Sequence, residues 1–510
     1  MTVDFPPTLS LIVTLLPLLG ALLVLLSPAA TDGKNMLPWR LAQLTGVLTF
    51  VATLPFWFSY GVGSEGVQYA FAFDWFRLGQ MQVQFSLGID GLSVLLVLLT
   101  NLLSMLVYFS ASSQIQERPK QFLVWLLLMQ CGMLGAFMAL DFFTFYLFWE
   151  LMLIPLFFLI GIWGGERRRY AAIKFFFFTG AGSALMLLAI IWIVRSELAL
   201  PDLGLVQSSS ILDHLRYGSI PAEVQSWLFL AFALAFLIKL PSLPFHGWLL
   251  DAQVEAPSSV SLLLAGVSLK MGAYGLIRFC LPLFPVATLQ FAPLLMGLGA
   301  IGIVYGAFLA WAQRDLKKLI AYSSISHMGF VVQGCFALNA EGLNGSLLQM
   351  IAHGVATPAL FLLAGMLYQR RQTWQIAEFG GLARVMPVYA FFMVMAVMAS
   401  VALPGLSGFP GELLILLGAF DTSFSWGVVG ALGMIFGAVY MLSMLRRCLF
   451  GPLSRDENRQ LKDCSLREQV LIAPLILLFL WIGVRPGDFT GRSEKTIEQV
   501  IQKVDAARTP

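Results

Sequence analysis

Residues 228–246 read LFLAFALAFLIKLPSLPFH, a run apolar enough to cross a bilayer that nevertheless contains Lys239 and two prolines. A lysine at mid-membrane costs roughly 2.5 to 3.5 kcal/mol on translocon scales, so such residues normally face a protein interior or a wet cavity. Proline removes a backbone donor, and inside a membrane the freed groups must find protein or water. The stretch therefore predicts an interrupted membrane helix with a functional charge at its break.

The whole chain has the composition of a membrane protein. Its 510 residues are 58% hydrophobic and only 12% charged, whereas soluble domains carry about 25% charged residues. Long apolar runs recur from end to end, so we expect an all-α polytopic membrane protein rather than a β-barrel, which shows short alternating segments. The net charge of +3 gives no indication of nucleic-acid binding. The five widely spaced cysteines form no CxxC motif and predict no metal or iron–sulfur site.

Fourteen spans are predicted, and the first follows a start without the basic region of a cleaved signal. Residues 61–89 are aromatic-rich with partial alternation and predict a β-hairpin on the outer surface. The segment after residue 484 predicts an amphipathic surface helix. The predicted spans are 8–27, 41–60, 90–110, 121–140, 142–163, 171–194, 225–245, 258–282, 291–311, 316–336, 345–367, 387–420 (interrupted), 426–445 and 467–484.

A second interruption has the same character as the first. Residues 400–416 read SVALPGLSGFPGELLIL, with Pro404 and Pro410 just before Glu412. The breaks are about five spans apart, so the chain predicts two five-helix repeats with broken helices 7 and 12, inverted because five is odd. The predicted division is helices 1–3 with the hairpin in 1–120, a first repeat in 121–282, a second in 291–450, and helix 14 with the tail in 451–510.

The distribution of basic residues predicts the orientation. Connections after odd-numbered spans contain 19 of the 31 Lys and Arg residues when those at span ends are counted with the adjoining connection, against 9 in the other connections and the termini. Cytoplasmic connections carry the excess of basic residues. We therefore expect the odd-numbered connections in the cytoplasm and both termini outside.

Ionisable residues inside the spans form the candidate site. Each lies on a different helix, so together they can line a row at mid-depth, where burial disfavours a charged lysine and a nearby carboxylate restores it. Making or breaking such contacts would load and unload protons, whereas static ion pairs that fix helix packing are the alternative. The six residues are Glu150, Lys239, Lys270, His327, His353 and Glu412.

Three further residues lie closer to a membrane edge. His246 and Asp251 follow the first break, where they would cap either a half-channel or merely a helix end. Lys174 lies near the end of its span, where a lysine side chain can extend to the interface.

Several stretches together resemble one family, the antiporter-like M subunits of proton-pumping NADH:quinone oxidoreductase (respiratory complex I). They occur in the expected order between about residues 80 and 450. The stretches are DGLSVLLVLLT (90–100), FYLFWELMLIPLFFLIGIWGGERRRYAAIKFFFFT (145–179), IKLPSLPFHGWLLDAQVEAP (238–257), LLLAGVSLKMGAYGLIRF (262–279), DLKKLIAYSSISHMGFV (315–331), QMIAHG (349–354) and LPGLSGFPGELLIL (403–416).

The resemblance implies a fold of fourteen helices with two inverted five-helix repeats, and it implies roles for individual residues. Glu150 of the WE motif would pair with Lys239, Lys270 would pass the proton along the central axis, and Glu412 would end the path. The sister N and L subunits and related antiporter subunits usually have lysine at the last position, so Glu412 favours M. This chain departs from the family's WLPDAH pattern at Leu250 and Gln253, which puts proton uptake at Gln253 in doubt or shifts it to His246, Asp251 or Glu255.

The resemblance also implies the setting of the protein. It would be a non-redox subunit of a proton-translocating NADH:quinone oxidoreductase in a bacterial cytoplasmic membrane, in contact with lipid and with N- and L-type subunits. NADH, FMN, iron–sulfur clusters and quinone would be bound by other subunits, and none by this chain. The alternatives are a subunit of a multisubunit Na⁺/H⁺ antiporter, or of a related membrane hydrogenase or carbon-uptake complex.

The basic-residue count makes a prediction about topology. A cysteine introduced into the Arg- and Lys-rich connection 445–466 should not react with a membrane-impermeant thiol reagent added outside intact cells, because this connection is predicted to be cytoplasmic. The same cysteine should react in inverted membrane vesicles. Ready labelling from outside would reverse the orientation.

Overall fold

The computed structural model describes residues 6–28, 36–78, 81–200 and 204–508, and all fourteen predicted spans are helices in it. Twelve described helices are long and apolar enough to cross a membrane; α12 and the interrupted pair α14–α15 complete the set. The membrane helices are α1 (Leu9–Leu26), α2 (Leu37–Ser59), α3 (Ser93–Ala111), α4 (Pro119–Met138), α5 (Phe142–Trp163), α6 (Arg168–Arg195), α8 (Ala222–Lys239) with α9 (Gly247–Glu255), α10 (Ser258–Leu283), α11 (Pro285–Trp311), α12 (Leu316–Cys335), α13 (Ala340–Arg371), α14 (Pro387–Ser400) with α15 (Gly408–Thr422), α16 (Phe424–Leu449) and α18 (Leu466–Val484).

The remaining elements lie outside the spans. The predicted hairpin is confirmed as an antiparallel pair, and the predicted C-terminal surface helix is also present. Gln82 bridges Ser208 and Gly63 donates to Gly491, so the hairpin, α7 and α19 lie on one face, which we call the hairpin face. These elements are β1 (Gln68–Leu78), β2 (Met81–Ile89), β3 (Glu197–Leu200), β4 (Gly204–Gln207), α7 (Ile211–Tyr217), the short α17 (Asp456–Arg459) and α19 (Gly487–Ala506).

The two five-helix repeats have matching local structure. Each helix of the second repeat begins 165 to 174 residues after its counterpart; α14 starts at 387 against 222 for α8, and α12 at 316 against 142 for α5. Asp141 and Asp315 cap α5 and α12 by accepting hydrogen bonds from first-turn backbone N–H groups. Asp141 also bridges Ser210, as Asp315 bridges Gln375. Five spans separate α5 from α12, so the two matching corners lie on opposite faces.

Both predicted interruptions are present, and the same type of backbone hydrogen bond spans each of them. At the first break, Ser242 N donates to Leu237 O at 3.0 Å; at the second, Leu403 N donates to Met398 O at 3.0 Å. The indole of Trp248 donates to Ile238 O at 2.8 Å. These bonds satisfy backbone groups that the breaks free inside the membrane. The predicted end of span 7 at 245 is too early, because the chain resumes as α9 after the turn.

The helices α10 and α13 are enclosed by protein over their most apolar stretches. The most apolar 18-residue window of each is entirely buried, whereas that of α1, α2 or α16 is less than half buried. The outer helices therefore face lipid, while α10 and α13 form the centre of the bundle. The candidate residues Lys270 and His353 lie on these two central helices.

Close packing of α11 on α12 generates a stability prediction. A Cβ at Gly306 would lie 2.6 Å from Ser326 N, whereas a Cβ at Gly302 would lie 3.8 Å from its nearest neighbour, Gly329 Cα. Gly306→Ala should therefore force the helices apart and destabilise the protein by about 1 to 3 kcal/mol. Gly302→Ala, one turn away, should be neutral. Thermal unfolding of the purified complex checks this, and equal behaviour of the two variants would contradict the packing described.

Candidate functional site

The structure joins four of the six candidate residues in one line that runs from the last helix of the first repeat into the second repeat. Lys270 contacts His353, the rings of His353 and His327 adjoin, and His327 contacts Glu412. All four side chains are buried. The line therefore runs through protein from the central helix α10 to the second half of the interrupted helix.

Lys270 is held by an irregularity of its own helix. Residues Leu264–Ser268 form a π-helical turn, and such turns are frequent at functional sites. The Lys270 ammonium donates to the carbonyl of Ala265 in that turn and lies 2.6 Å from His353 Nδ1. His353 Nε2 is buried and has no hydrogen-bond partner. An amine and an imidazole at this distance can share or exchange a proton.

The line continues from His353 to Glu412. The two imidazole rings are 5.4 Å apart between centroids and inclined at 62°. His327 Nδ1 lies 3.2 Å from Glu412 Oε1, which also accepts a hydrogen bond from the Gln349 amide at 3.0 Å. The Ser400 hydroxyl lies 3.3 Å from His327 Nε2. Both nitrogens of His327 therefore have partners that can give or accept a proton.

A glycine allows α13 to approach α10 closely enough for this contact. A Cβ at Gly354 would lie 2.5 Å from Leu99 Cδ2 and 3.0 Å from the carbonyl of Gly266. Any larger residue would push α13 away from α10. The Lys270–His353 distance thus depends on the residue that directly follows the histidine.

Glu150 and Lys239 form a separate group in the first repeat. Lys239 is buried and Glu150 is half-buried, but among the described residues they form no ion pair within 4.0 Å. The direct ion pair that the family resemblance implies is therefore not formed in this structure, and the role of the two residues in proton transfer stays a prediction. The Lys239 ammonium instead lies 5.4 Å from the ring centres of both Trp149 and Phe175, where aromatic faces attract a cation.

Glu150 retains an unsatisfied oxygen, since its Oε1 is buried without a hydrogen-bond partner. Buried carboxylate oxygens are normally bonded to protein or water. The Glu150–Lys239 pair is therefore open in this structure. The Lys239 ammonium and the free Glu150 oxygen lie in the same group without contacting each other.

The first group reaches the central helix through a backbone contact. A Cβ at Gly272 would lie 2.4 Å from the carbonyl of Phe236 and 2.8 Å from Leu240 N, so the end of α8 lies directly on α10. No hydrogen bond joins Lys239 to Lys270 among the described contacts. The predicted row is therefore present as two parts in contact through backbone, with a break between the two lysines.

The residues near the membrane edge form a third group. Lys174 and Asp251 form an ion pair at 2.7 Å, and both side chains are about one quarter exposed. Lys174 therefore does not simply extend to the interface. The ring of His246 packs edge-on against Tyr305, and its buried Nδ1 has no hydrogen-bond partner. His246 directly precedes α9 and Asp251 lies within it, beside the first break, and Lys174 reaches Asp251 from α6.

Gln253, for which the family resemblance implies a histidine, is fully buried. Neither its amide oxygen nor its amide nitrogen has a hydrogen-bond partner. Leu250 continues α9 without interruption. Glu255 accepts from the backbone of Arg167 at 2.9 Å, which ties it to the loop after α5. Asp251 and His246 are thus the titratable groups that follow the break on the side of α9.

Two residues of the site were not identified from the sequence. Gln349 lies four residues before His353 on α13, a spacing that places both on one helix face, and this signal could have found it. Ser400, at the end of α14, carries no such signal. No group of three or more His, Cys, Asp or Glu residues suited to a metal ion occurs in the described part of the chain.

Comparison with known proteins agrees with this architecture. Residues 139–439 match the family described as NADH:quinone oxidoreductase/Mrp antiporter, TM. NADH-quinone oxidoreductase subunit M of Rickettsia bellii (strain RML369-C) is 39% identical over 490 residues, covering 96% of this chain and 97% of the relative. Subunit M of Rhodobacter capsulatus is 39% identical over 500 residues, covering 97% and 96%. A chain of respiratory complex I from Thermus thermophilus superposes with a TM-score of 0.85 at 33% identity, covering 97% of this chain and 99% of that one.

The inverted repeats and the buried charged row define an antiporter-like membrane subunit. The similarity extends over nearly the full length of this chain and of its relatives. The chain belongs to the family of subunit M of NADH-quinone oxidoreductase.

The end of the row makes a testable prediction. Glu412→Gln should reduce proton pumping about tenfold or more, because an amide cannot carry a proton and loss of a proton-transfer group typically costs at least this much. Glu412→Lys should keep partial activity, since a titratable group remains. Pumping by inverted vesicles with assembled complex is the measurement, and Glu457→Gln, an exposed glutamate, is the control. Near-normal pumping with glutamine would reduce Glu412 to a structural role.

Proposed function

We propose that this chain translocates protons as a membrane subunit of an NADH–quinone oxidoreductase, through its buried row of Glu, Lys and His side chains. The observation that supports this most directly is the line of contacts from Lys270 through His353 and His327 to Glu412. Ionisable residues within a membrane are costly and are characteristic of ion and proton pathways. A line of four on four helices is far more than helix packing requires.

The similar proteins support the same assignment. Relatives that match the chain end to end are named as subunit M of NADH-quinone oxidoreductase, and the similar solved chain belongs to a complex I with bound NADH. A multisubunit Na⁺/H⁺ antiporter or a related hydrogenase or carbon-uptake complex is not favoured by these matches. NADH, FMN, iron–sulfur clusters and quinone would then be bound by other subunits, whose redox chemistry drives the transfer.

The proposed path begins at the first break. Asp251 and His246, next to the ion-paired Lys174, take up protons from the face opposite the hairpin. Lys239 receives them beside Glu150, whose unsatisfied oxygen is an acceptor that can draw the ammonium towards it or release it. Closing and opening this pair changes the affinity of Lys239 for its proton, because an opposite charge nearby favours the charged form.

The second part of the path follows the continuous line. Lys270 transfers a proton to His353 Nδ1, and the ring passes a proton towards His327. His327 then delivers it to Glu412, whose oxygen is already oriented by Gln349. Each transfer needs only rotation of a side chain within a fixed helix frame. Glu412 is proposed as the terminal acceptor of the row.

The proposed setting follows from orientation and family. The protein would lie in a bacterial inner membrane between N- and L-type subunits, with the hairpin face and both termini outside. The first repeat (121–282) would contain the uptake group and the Glu150–Lys239 pair. The second repeat (291–450) would contain the terminal part of the row, with helices 1–3 (1–120) and the tail (451–510) at the periphery.

Lys239 provides the test of this function. Lys239→Ala should suppress proton pumping and the coupled quinone reduction about tenfold or more in a complex that still assembles. Lys239→Arg should fail as well, because guanidinium remains protonated. Lys318→Ala removes an exposed lysine and is the control. Assembled Lys239→Ala complex that pumps at normal rates would refute the proposed function.

A further inference from the structure

A cavity opens on the hairpin face and reaches the central helix. It has a volume of about 760 Å³ and lies between α7, α19 and the end of α10. Arg216 and Lys503 line it near the surface, and Asp90 and Arg278 line it at depth. The last two are only 4% and 7% exposed, so they form its floor. We call this space the vestibule.

The floor of the vestibule is a buried ion pair. A guanidinium nitrogen of Arg278 donates to Asp90 Oδ2, and Asp90 Oδ1 accepts from the backbone N–H groups of Leu92 and Ser93 at 3.1 Å each. Arg278 Nε donates to the Tyr274 hydroxyl at 3.2 Å, and this hydroxyl donates in turn to the backbone carbonyl of Phe137 at 3.1 Å. The basic-residue count in the sequence assigns Arg278 to the connection after the eighth span. In the structure, Arg278 lies inside α10. Its charge is therefore placed in the bundle, with its partner on the segment before α3.

This ion pair lies on the same helix as the proton row. Arg278 belongs to the second π-helical turn of α10, Leu276–Cys280, and Lys270 lies between the two such turns. Tyr274 is one regular turn beyond Lys270 and contacts Arg278, so it stands between the row and the vestibule. Lysine has a flexible four-carbon stem, which allows the ammonium to leave the Ala265 carbonyl and turn towards Tyr274.

We propose that Asp90 and Arg278 gate a second outlet, in addition to the path that ends at Glu412, through which protons leave Lys270 for the hairpin face. This rests on the proposed proton-translocating function. In the outlet, the Lys270 ammonium gives a proton to the Tyr274 oxygen, and the Tyr274 hydroxyl leaves the Phe137 carbonyl and passes its own proton to the Asp90 carboxylate. Lys270 is left as a neutral amine and Asp90 as a neutral acid, which no longer holds Arg278. Asp90 then releases the proton to water in the vestibule, and the ion pair closes again.

The gate accounts for the position of the pair better than helix packing does. Breaking a buried ion pair is strongly destabilising, but replacing it as a whole by well-packed neutral groups is often neutral or stabilising. A pair used only for packing needs no cavity at its side and no tyrosine one helical turn from a buried lysine. Here both are present, and the cavity connects the pair to the aqueous face.

Thiol labelling tests whether the vestibule is aqueous. Leu92→Cys places a thiol in its lining, and Leu96→Cys places one a turn deeper on α3, outside the lining. Both native side chains are only 1% exposed, so the two positions differ in their contact with the cavity and not in their exposure. The five native cysteines are all buried. A membrane-impermeant methanethiosulfonate reagent should label Leu92→Cys from the hairpin face only and should leave Leu96→Cys unlabelled. Failure to label Leu92→Cys from the hairpin face would overturn the proposal.

Pumping by paired variants tests the gate. Asp90→Asn should lower protons moved per electron at least twofold, and Asp90→Glu should restore part of the loss. The double variant Asp90→Asn/Arg278→Gln should assemble normally and still pump poorly, whereas a packing role predicts that it recovers both. The matched control removes the Arg370–Glu468 ion pair as Arg370→Gln/Glu468→Gln and should keep the normal ratio. Normal pumping by the Asp90 double variant would refute the gate but leave the Lys239 result, and with it the proposed function, unaffected.

Discussion

Two interrupted helices place charged side chains at helix ends inside the membrane, and the rest of the site depends on this constraint. Lys239 is the last residue of α8, where the negative end of the helix dipole favours a cation. Glu412 lies just after the first turn of α15, where the positive end favours an anion. Backbone groups freed at both breaks are bonded within the protein. The breaks thus reduce the cost of burying each charge while leaving its side chain free to change partners.

Between these two ends, neighbouring groups compete for protons. Lys270 and His353 are 2.6 Å apart, and two cations at that distance repel, so the pair favours a single positive charge. His327 and Glu412 attract each other once the imidazole is protonated. A charge that arrives at Lys270 therefore changes the proton affinity of His353, and the effect continues to Glu412. In this way a change at the Glu150–Lys239 pair can be transmitted along the membrane without a large helix movement.

Much of the fold could be predicted from the sequence, because hydropathy, proline and glycine act locally. Apolar runs, the positions of proline and glycine, and the spacing of the two breaks were enough to predict the fourteen spans, both breaks, the hairpin and the inverted repeats. Contacts between helices could not be predicted in the same way, since they depend on which faces meet. The Glu150–Lys239 pair is open because aromatic rings surround the ammonium. The Lys174–Asp251 pair and the burial of Arg278 follow from how α6, α9 and α10 pack, which no local pattern encodes.

The central claim is that protons pass from Lys239 to Lys270 and along the line to Glu412, although no described hydrogen bond joins the two lysines. The most direct test is a structure of the whole complex at a resolution that shows ordered waters. The account predicts waters that bridge Lys239 to Lys270 and bind the unsatisfied Glu150 oxygen and His353 Nε2, since buried polar groups of this kind are normally hydrated. A dry gap, closed by apolar side chains in both the oxidised and the reduced complex, would contradict it.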